Sequence, residues 1–212
     1  MDVQTTISAL MIALFVVALI YFLPLTKSCK KAMTLLWLAR CLVVFLIIPL
    51  YERSYQLDSH YFFNQMQAGI EDWDWYLFDG TNSLIFLGHK LINLFPFLNS
   101  YLSINLICAA FGLFGVLLFF KAIKSIWPET PFYLLYALGL FPSLIFWTST
   151  LSKEPFVFFI IGLCFHSSMK ILSEIQITPL VVLLIGVVSL VFFRFWLAPL
   201  PILALTLTLL VV

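Results

Sequence analysis

The sequence predicts an all-α protein, a polytopic membrane bundle of about seven transmembrane helices with an interfacial helix in one long outer loop. Three observations predict it. The 212 residues are 63% hydrophobic and 10% charged, with a mean hydropathy of +1.11, against about 45–50% apolar and about 25% charged in soluble domains. Seven apolar runs approach the ~20 residues that cross a bilayer. The connections between those runs carry their lysines unevenly, and that asymmetry orients a membrane protein.

The runs are roughly 6–24, 34–50, 101–120, 132–149, 155–171, 178–193 and 196–212. The first follows "MDVQTTISAL", which lacks the positively charged start of a secretory signal and no small-residue cleavage site follows, so the helix is read as retained. The last two are short and separated only by "FRFW". They are either two spans or one broken, re-entrant element. Residues 1–212 form a single transmembrane unit, and the apolar ending "LTLTLLVV" reads as a piece of a longer chain.

Lys27, Lys30, Lys31, Lys121, Lys124 and Lys170 fall in alternate connections, and Arg40, read as lying near the start of the second helix, adds to that side. Arg53, Lys90, Lys153 and Arg194 fall in the opposite ones. The excess of positive charge marks the first set as cytoplasmic. The N-terminus, the loop 51–100, "STLSKEP" and "FFRFWLAP" then share the extracytoplasmic face. Loop 51–100 holds six of the ten acidic residues. Its second half, "SLIFLGHKLINLFPFL", is apolar but interrupted by His89 and Lys90, a pattern suited to a helix lying in the interface.

A net charge of +1 excludes nucleic acid as a partner, because such binding needs a basic stripe. The partner that the composition implies is the bilayer. Cys29, Cys41, Cys108 and Cys164 have neither metal-ligand nor disulfide-framework spacing and read as packing residues. His60, His89 and His166 form no ligand set by spacing.

Four segments carry chemistry. In "YERSYQLDSHYFFNQ", Asp58 follows the second run closely among aromatic residues. It is either a general base within reach of an acceptor hydroxyl or the N-cap of a following helix. If a helix follows, Asp58, Tyr61 and Phe62 share one face. In "EDWDW", Asp72 and Asp74 offer two carboxylates to a divalent cation, or they are a solvated acidic loop. No other cofactor is expected. In "STLSKEPF", Lys153 and Glu154 sit between two apolar runs. Lys153 is either a phosphate contact at a helix N-terminus or a snorkelling lysine. Arg194 in "FFRFW" is either a helix-end anchor or a second oxyanion contact.

The "LDSHYFFNQMQAG", "FPSLIFWTSTLSKEPF" and "FFRFWLAP" segments resemble those of the GT-C superfamily, integral-membrane glycosyltransferases that use polyprenyl-phosphate sugars. The resemblance spans about residues 34–200. It implies an inverting sugar transfer at the extracytoplasmic face of a bacterial inner membrane, in cell-envelope polysaccharide or glycolipid synthesis. Asp58 would be the catalytic base, and Tyr61 and His60 would line the substrate. Lys153 and Arg194 would balance the charge on the leaving lipid phosphate, and Glu154 beside Lys153 would be a further substrate-binding residue. Two other classes compete: a polysaccharide polymerase or ligase of the O-antigen or capsule type, and a non-enzymatic transporter or assembly subunit. A transporter predicts charges buried at mid-membrane.

Overall fold

The computed structural model describes residues 3–69, 79–173 and 177–211. Among them every regular element is helical. α1 is Val3–Phe22. The next helix is continuous from residue 27 to residue 52, as α2 (Lys27–Leu42), a π-helical turn (Val43–Ile47) and α3 (Ile48–Glu52). It starts a full two turns before the apolar run because Thr26 caps it, its side chain accepting from the Cys29 amide at 3.3 Å. The π turn has a cause in Pro49. A proline inside a helix donates no N–H and its ring presses on the carbonyl four residues back, and the wider turn directly before α3 absorbs that misfit.

The remaining elements are α4 (Asp58–Ala68), α5 (Gly80–Leu94), α6 (Tyr101–Ile126), α7 (Tyr133–Gly139), α8 (Pro142–Trp147), α9 (Glu154–Ser173), α10 (Ile177–Arg194) and α11 (Pro199–Val211), with short 3-10 turns at Pro96–Leu98 and Phe195–Leu197. Five helices are long and apolar enough to cross a bilayer: Thr5–Phe22, Lys27–Glu52, Tyr101–Ile126, Glu154–Leu172 and Ile177–Leu197. That fits an integral membrane protein.

Two of the seven expected spans differ. The run 132–149 is not one helix but the pair α7 and α8. Pro142 disfavours helical geometry at the residue before it, and Phe141 is accordingly extended, with ψ 118°. The run 196–212 becomes a 3-10 turn and the 13-residue α11. Both α10 and α11 pack on α9, so "FRFW" is the bend of a hairpin.

α6 and α9 form the core pair. Phe111 meets Phe156, and Phe119 meets Phe158 and Phe165, so the two helices run in the same direction. Their backbones approach at two glycines: a Cβ on Gly115 would stand 2.6 Å from Phe158, and one on Gly162 would stand 3.1 Å from the Gly115 carbonyl oxygen. Small residues at the contact allow this closeness. A parallel pair requires the chain to return between them, and α7 with α8 makes that return. α10 runs antiparallel to α9, Phe193 stacking on Phe156 and Gly186 facing Cys164.

The bundle therefore has two unlike ends. Lys27, Lys30 and Lys31 begin α2, while Lys121, Lys124 and Lys170 lie in the last turns of α6 and α9. Glu52, Asp58, Lys153, Glu154 and Arg194 lie at the opposite end. Arg40 belongs to neither. It is fully buried, about midway along the 26-residue helix Lys27–Glu52, which corrects its expected place near the start of that helix. The late start read for that helix caused the error. α5 buries Leu84, Ile85 and Ile92 and leaves Lys90 exposed together with Leu87 and Leu94. It docks on α4 and α10.

Gly162→Leu is expected to force α6 and α9 apart and to destabilise the fold by about 1–3 kcal/mol, the usual cost of overpacking a core. Thermal unfolding in detergent reads it. An unchanged midpoint contradicts the close approach.

Candidate functional site

The charged end of the bundle is built by three segments: α3 with the start of α4, the turn between α8 and α9, and the α10–α11 bend. The α8–α9 turn is held from beneath by buried polar groups. Asn105 of α6 accepts from the Leu151 amide at 2.6 Å, and Arg40 of α2 donates to Thr148 Oγ1 at 2.7 Å and to Ser149 Oγ at 3.3 Å. Asn105, Thr148, Ser149 and Thr150 are all buried. A turn inside a bundle needs such partners because its own backbone leaves bonds unmade.

That turn and the start of α4 face each other across a cavity of about 700 Å³, within the usual size of a small-molecule site. Asp58, Lys153 and Glu154 all line it, with Tyr51, Phe62 and Trp147 among the aromatic walls. Asp58 opens α4; the N-cap position is Leu57, which makes no side-chain capping bond, so the N-cap alternative for Asp58 does not hold. A carboxylate in the first turn is favoured by the helix dipole by about 0.3–1 kcal/mol. The Asp58 carboxylate and the Lys153 ammonium make no hydrogen bond or ion pair with any described residue. Opposite charges thus line one cavity without closing on each other.

Glu154 opens α9 and accepts from Arg194 Nη2 at 2.6 Å. This ties the start of α9 to the end of α10, each charge sitting at the favourable end of its helix. The Arg194 guanidinium also lies 5.6 Å from the centre of the Trp196 ring. Arg194 does not line this cavity. It lies on the rim of a second, apolar groove of about 690 Å³ walled by Phe141, Leu144, Val157 and Phe158. Trp147 and Glu154 line both spaces, so the polar cavity and the apolar groove meet there.

Two of the expected site residues point elsewhere. Tyr61 is 58% exposed and rests edge-on against Phe62, which takes the cavity wall in its place. His60 binds Glu52 Oε2 through Nε2 at 3.1 Å and stacks on Tyr101 with centroids 4.2 Å apart. Asp72 and Asp74 lie outside the described residues. Among the described residues no three acidic, histidine or cysteine side chains cluster as a metal site.

His60 belongs to a network that sequence reasoning missed. The Tyr101 hydroxyl donates to Glu52 Oε1 and lies 2.6 Å from Ser59 Oγ. It joins the end of α3, the start of α4 and the start of α6, so it fixes the helix that carries Asp58. The available signal was positional: Glu52 closes one span and Tyr101 opens the next. His89 secures the other end of α4, its Nδ1 lying 2.7 Å from the Met66 carbonyl oxygen. Gly69, at φ 80°, terminates the helix there, and a Cβ on it would stand 2.9 Å from the His89 ring. Gly80 at the start of α5 leaves no room for a Cβ against the Phe193 carbonyl, and Lys153 Cδ lies 3.4 Å from where that Cβ would be.

Comparison with known proteins finds no matching family model, no matching curated protein and no matching solved structure.

Tyr101→Phe is expected to strand the Glu52 and Ser59 oxygens and cost about 1–3 kcal/mol. Hydrogen exchange should quicken across 58–68 while α9 and α10 keep their protection. Equal loosening of all three would contradict a local clamp. Cysteines placed at Lys124 and Lys153 are expected to react with a membrane-impermeant thiol reagent from opposite sides of sealed vesicles. Labelling of both from one side would contradict the assignment of the two bundle ends.

Proposed function

We propose that the protein is a membrane glycosyltransferase that moves a sugar from a polyprenyl-phosphate donor to an acceptor hydroxyl at the extracytoplasmic face. The observation that carries this reading is the placement on one cavity of a carboxylate, Asp58, and an ammonium, Lys153, each without a hydrogen-bond or ion-pair partner among the described residues. The adjoining apolar groove supports it further, because a lipid-linked donor has both a charged head and a long apolar chain. The resemblance of the three segments to GT-C enzymes points the same way.

In this reading Asp58 takes the proton of the acceptor hydroxyl as its oxygen attacks the anomeric carbon. The bond from that carbon to the phosphate oxygen breaks, and the electron pair leaves on the phosphate. Lys153 offsets the charge that gathers there, which is electrostatic stabilisation of the leaving group. Arg194 acts through Glu154, holding the start of α9 in place. The reading assigns no cofactor. The product belongs to cell-envelope polysaccharide or glycolipid synthesis, and the bilayer is a bacterial inner membrane.

A second reading, passage of a lipid-linked substrate across the membrane, is favoured by the α7–α8 break and by Arg40 buried mid-helix, features that transporters share. Proteoliposomes separate the two. With a polyprenyl-phosphate sugar and an acceptor supplied, Asp58→Asn is expected to lower kcat by about 10²–10⁴-fold. Lys153→Gln is expected to lower kcat/KM by roughly 10²-fold. Unchanged turnover in Asp58→Asn would remove Asp58 from the reaction. Movement of the donor between leaflets without sugar transfer would favour transport.

A further inference from the structure

Arg40 carries a charge that the fold does not use. Arginine stays protonated in proteins. Its side chain is fully buried, and it pairs with no acid among the described residues. Nη1 bonds to Thr148 and Ser149, while Nε and Nη2 have no hydrogen-bond partner among the described residues. Burying an uncompensated charge is strongly unfavourable. The two hydroxyl contacts do not account for it, because a neutral glutamine amide offers the same donor.

The location gives the charge a use. Thr148 and Ser149 lie between Trp147 and Thr150, both of which line the outer cavity. One residue spans at most ~3.6 Å, which puts the guanidinium on the order of 10 Å from that space. Asp58, Lys153 and Glu154 line the cavity and Arg194 is taken up by Glu154, while Arg40 stands behind the wall with no acid paired to it among the described residues. The Nη1 side is closely packed, a Cβ on Gly112 standing 2.7 Å from it. The arginine therefore acts through the wall.

We infer that Arg40 is the buried counter-charge for an anionic phosphate headgroup in the outer cavity, acting through the 148–151 turn without touching the ligand. The inference rests on the proposed polyprenyl-phosphate donor and adds what holds its charge. It separates Arg40 from Lys153 in a measurable way. Lys153 is partly exposed, so salt screens it, whereas salt reaches a fully buried charge far less.

The test uses the full chain in nanodiscs with two probes, decaprenyl phosphate and uncharged decaprenol. Tryptophan fluorescence reports binding, and the part of the signal lost in Trp147→Phe belongs to the cavity wall. Titrations are run at about 0.05 M and about 1 M salt, where the screening length falls well below 10 Å. Wild type is expected to prefer the phosphate at both. Arg40→Gln is expected to weaken the phosphate on the order of tenfold at both salt levels, as a unit charge at about 10 Å predicts for an effective dielectric constant of about 20. Decaprenol binding should not change, and Arg40→Lys should keep most of the preference. The loss in Lys153→Gln should shrink at high salt.

Wild type that prefers the phosphate only at low salt overturns the inference, as does Arg40→Gln binding it like wild type. If Arg40→Gln does not fold, the wild-type salt comparison still decides. Wild type that never prefers the phosphate contradicts the donor itself, and the inference falls with it.

Discussion

α6 and α9 lie side by side and point the same way, so close that a Cβ on Gly115 would run into Phe158 and one on Gly162 would crowd the Gly115 carbonyl oxygen. Adjacent antiparallel helices need only a short turn, but a parallel pair obliges the chain to cross back. Residues 127–153 make that crossing, and they deliver Trp147 to Glu154 to the same end of the bundle at which helix 27–52 finishes. Asp58 and Lys153 meet because of this path. Nothing local to either segment would bring them together.

The return segment creates a polar debt inside an apolar bundle. Its helix breaks at Pro142, and its last turn before α9 has backbone groups with no helical partner. Asn105 and Arg40 reach that turn from α6 and α2 and satisfy part of it. The remaining donors of Arg40 stay unmet. The polar atoms beneath the cavity therefore do two things: they fix the wall that carries Lys153, and they leave a positive field at the cavity floor.

Hydropathy made the long spans legible, because the bilayer demands ~20 apolar residues and little else. It could not show where a proline divides a run. In "LGLFPS" the break was written at Gly139 and Pro142, yet the mean hydropathy of 132–149 hides it. The start of the second helix was misjudged for a related reason. Its first turns hold three lysines, which count against a span but not against a helix capped by Thr26. That misjudgement moved Arg40 from the middle of a helix to its edge.

Within the candidate site, Asp58, Lys153 and Glu154 were legible as charges placed against apolar runs, and they share a cavity. Helical spacing put Tyr61 and Phe62 on one face with Asp58, but only tertiary packing decides which of two neighbouring aromatics turns inward, and Phe62 does. Arg194 was read as either a helix-end anchor or a second phosphate contact, and it closes α10. Its pairing with Glu154 places it on the rim of the apolar groove, because the α9–α10 contact sets that geometry. The Glu52–Tyr101–Ser59–His60 network joins residues far apart in the chain, and no local pattern announces it.

The measurement that bears most directly on this account is a structure of the protein holding a polyprenyl-phosphonate sugar, in which the scissile oxygen is replaced by carbon. The account predicts the phosphonate against Lys153, the anomeric carbon facing Asp58 and the prenyl chain in the groove beside Phe141 and Phe158. A headgroup bound at the lysine-rich end of the bundle, or one that leaves Asp58 and Lys153 untouched, would contradict it.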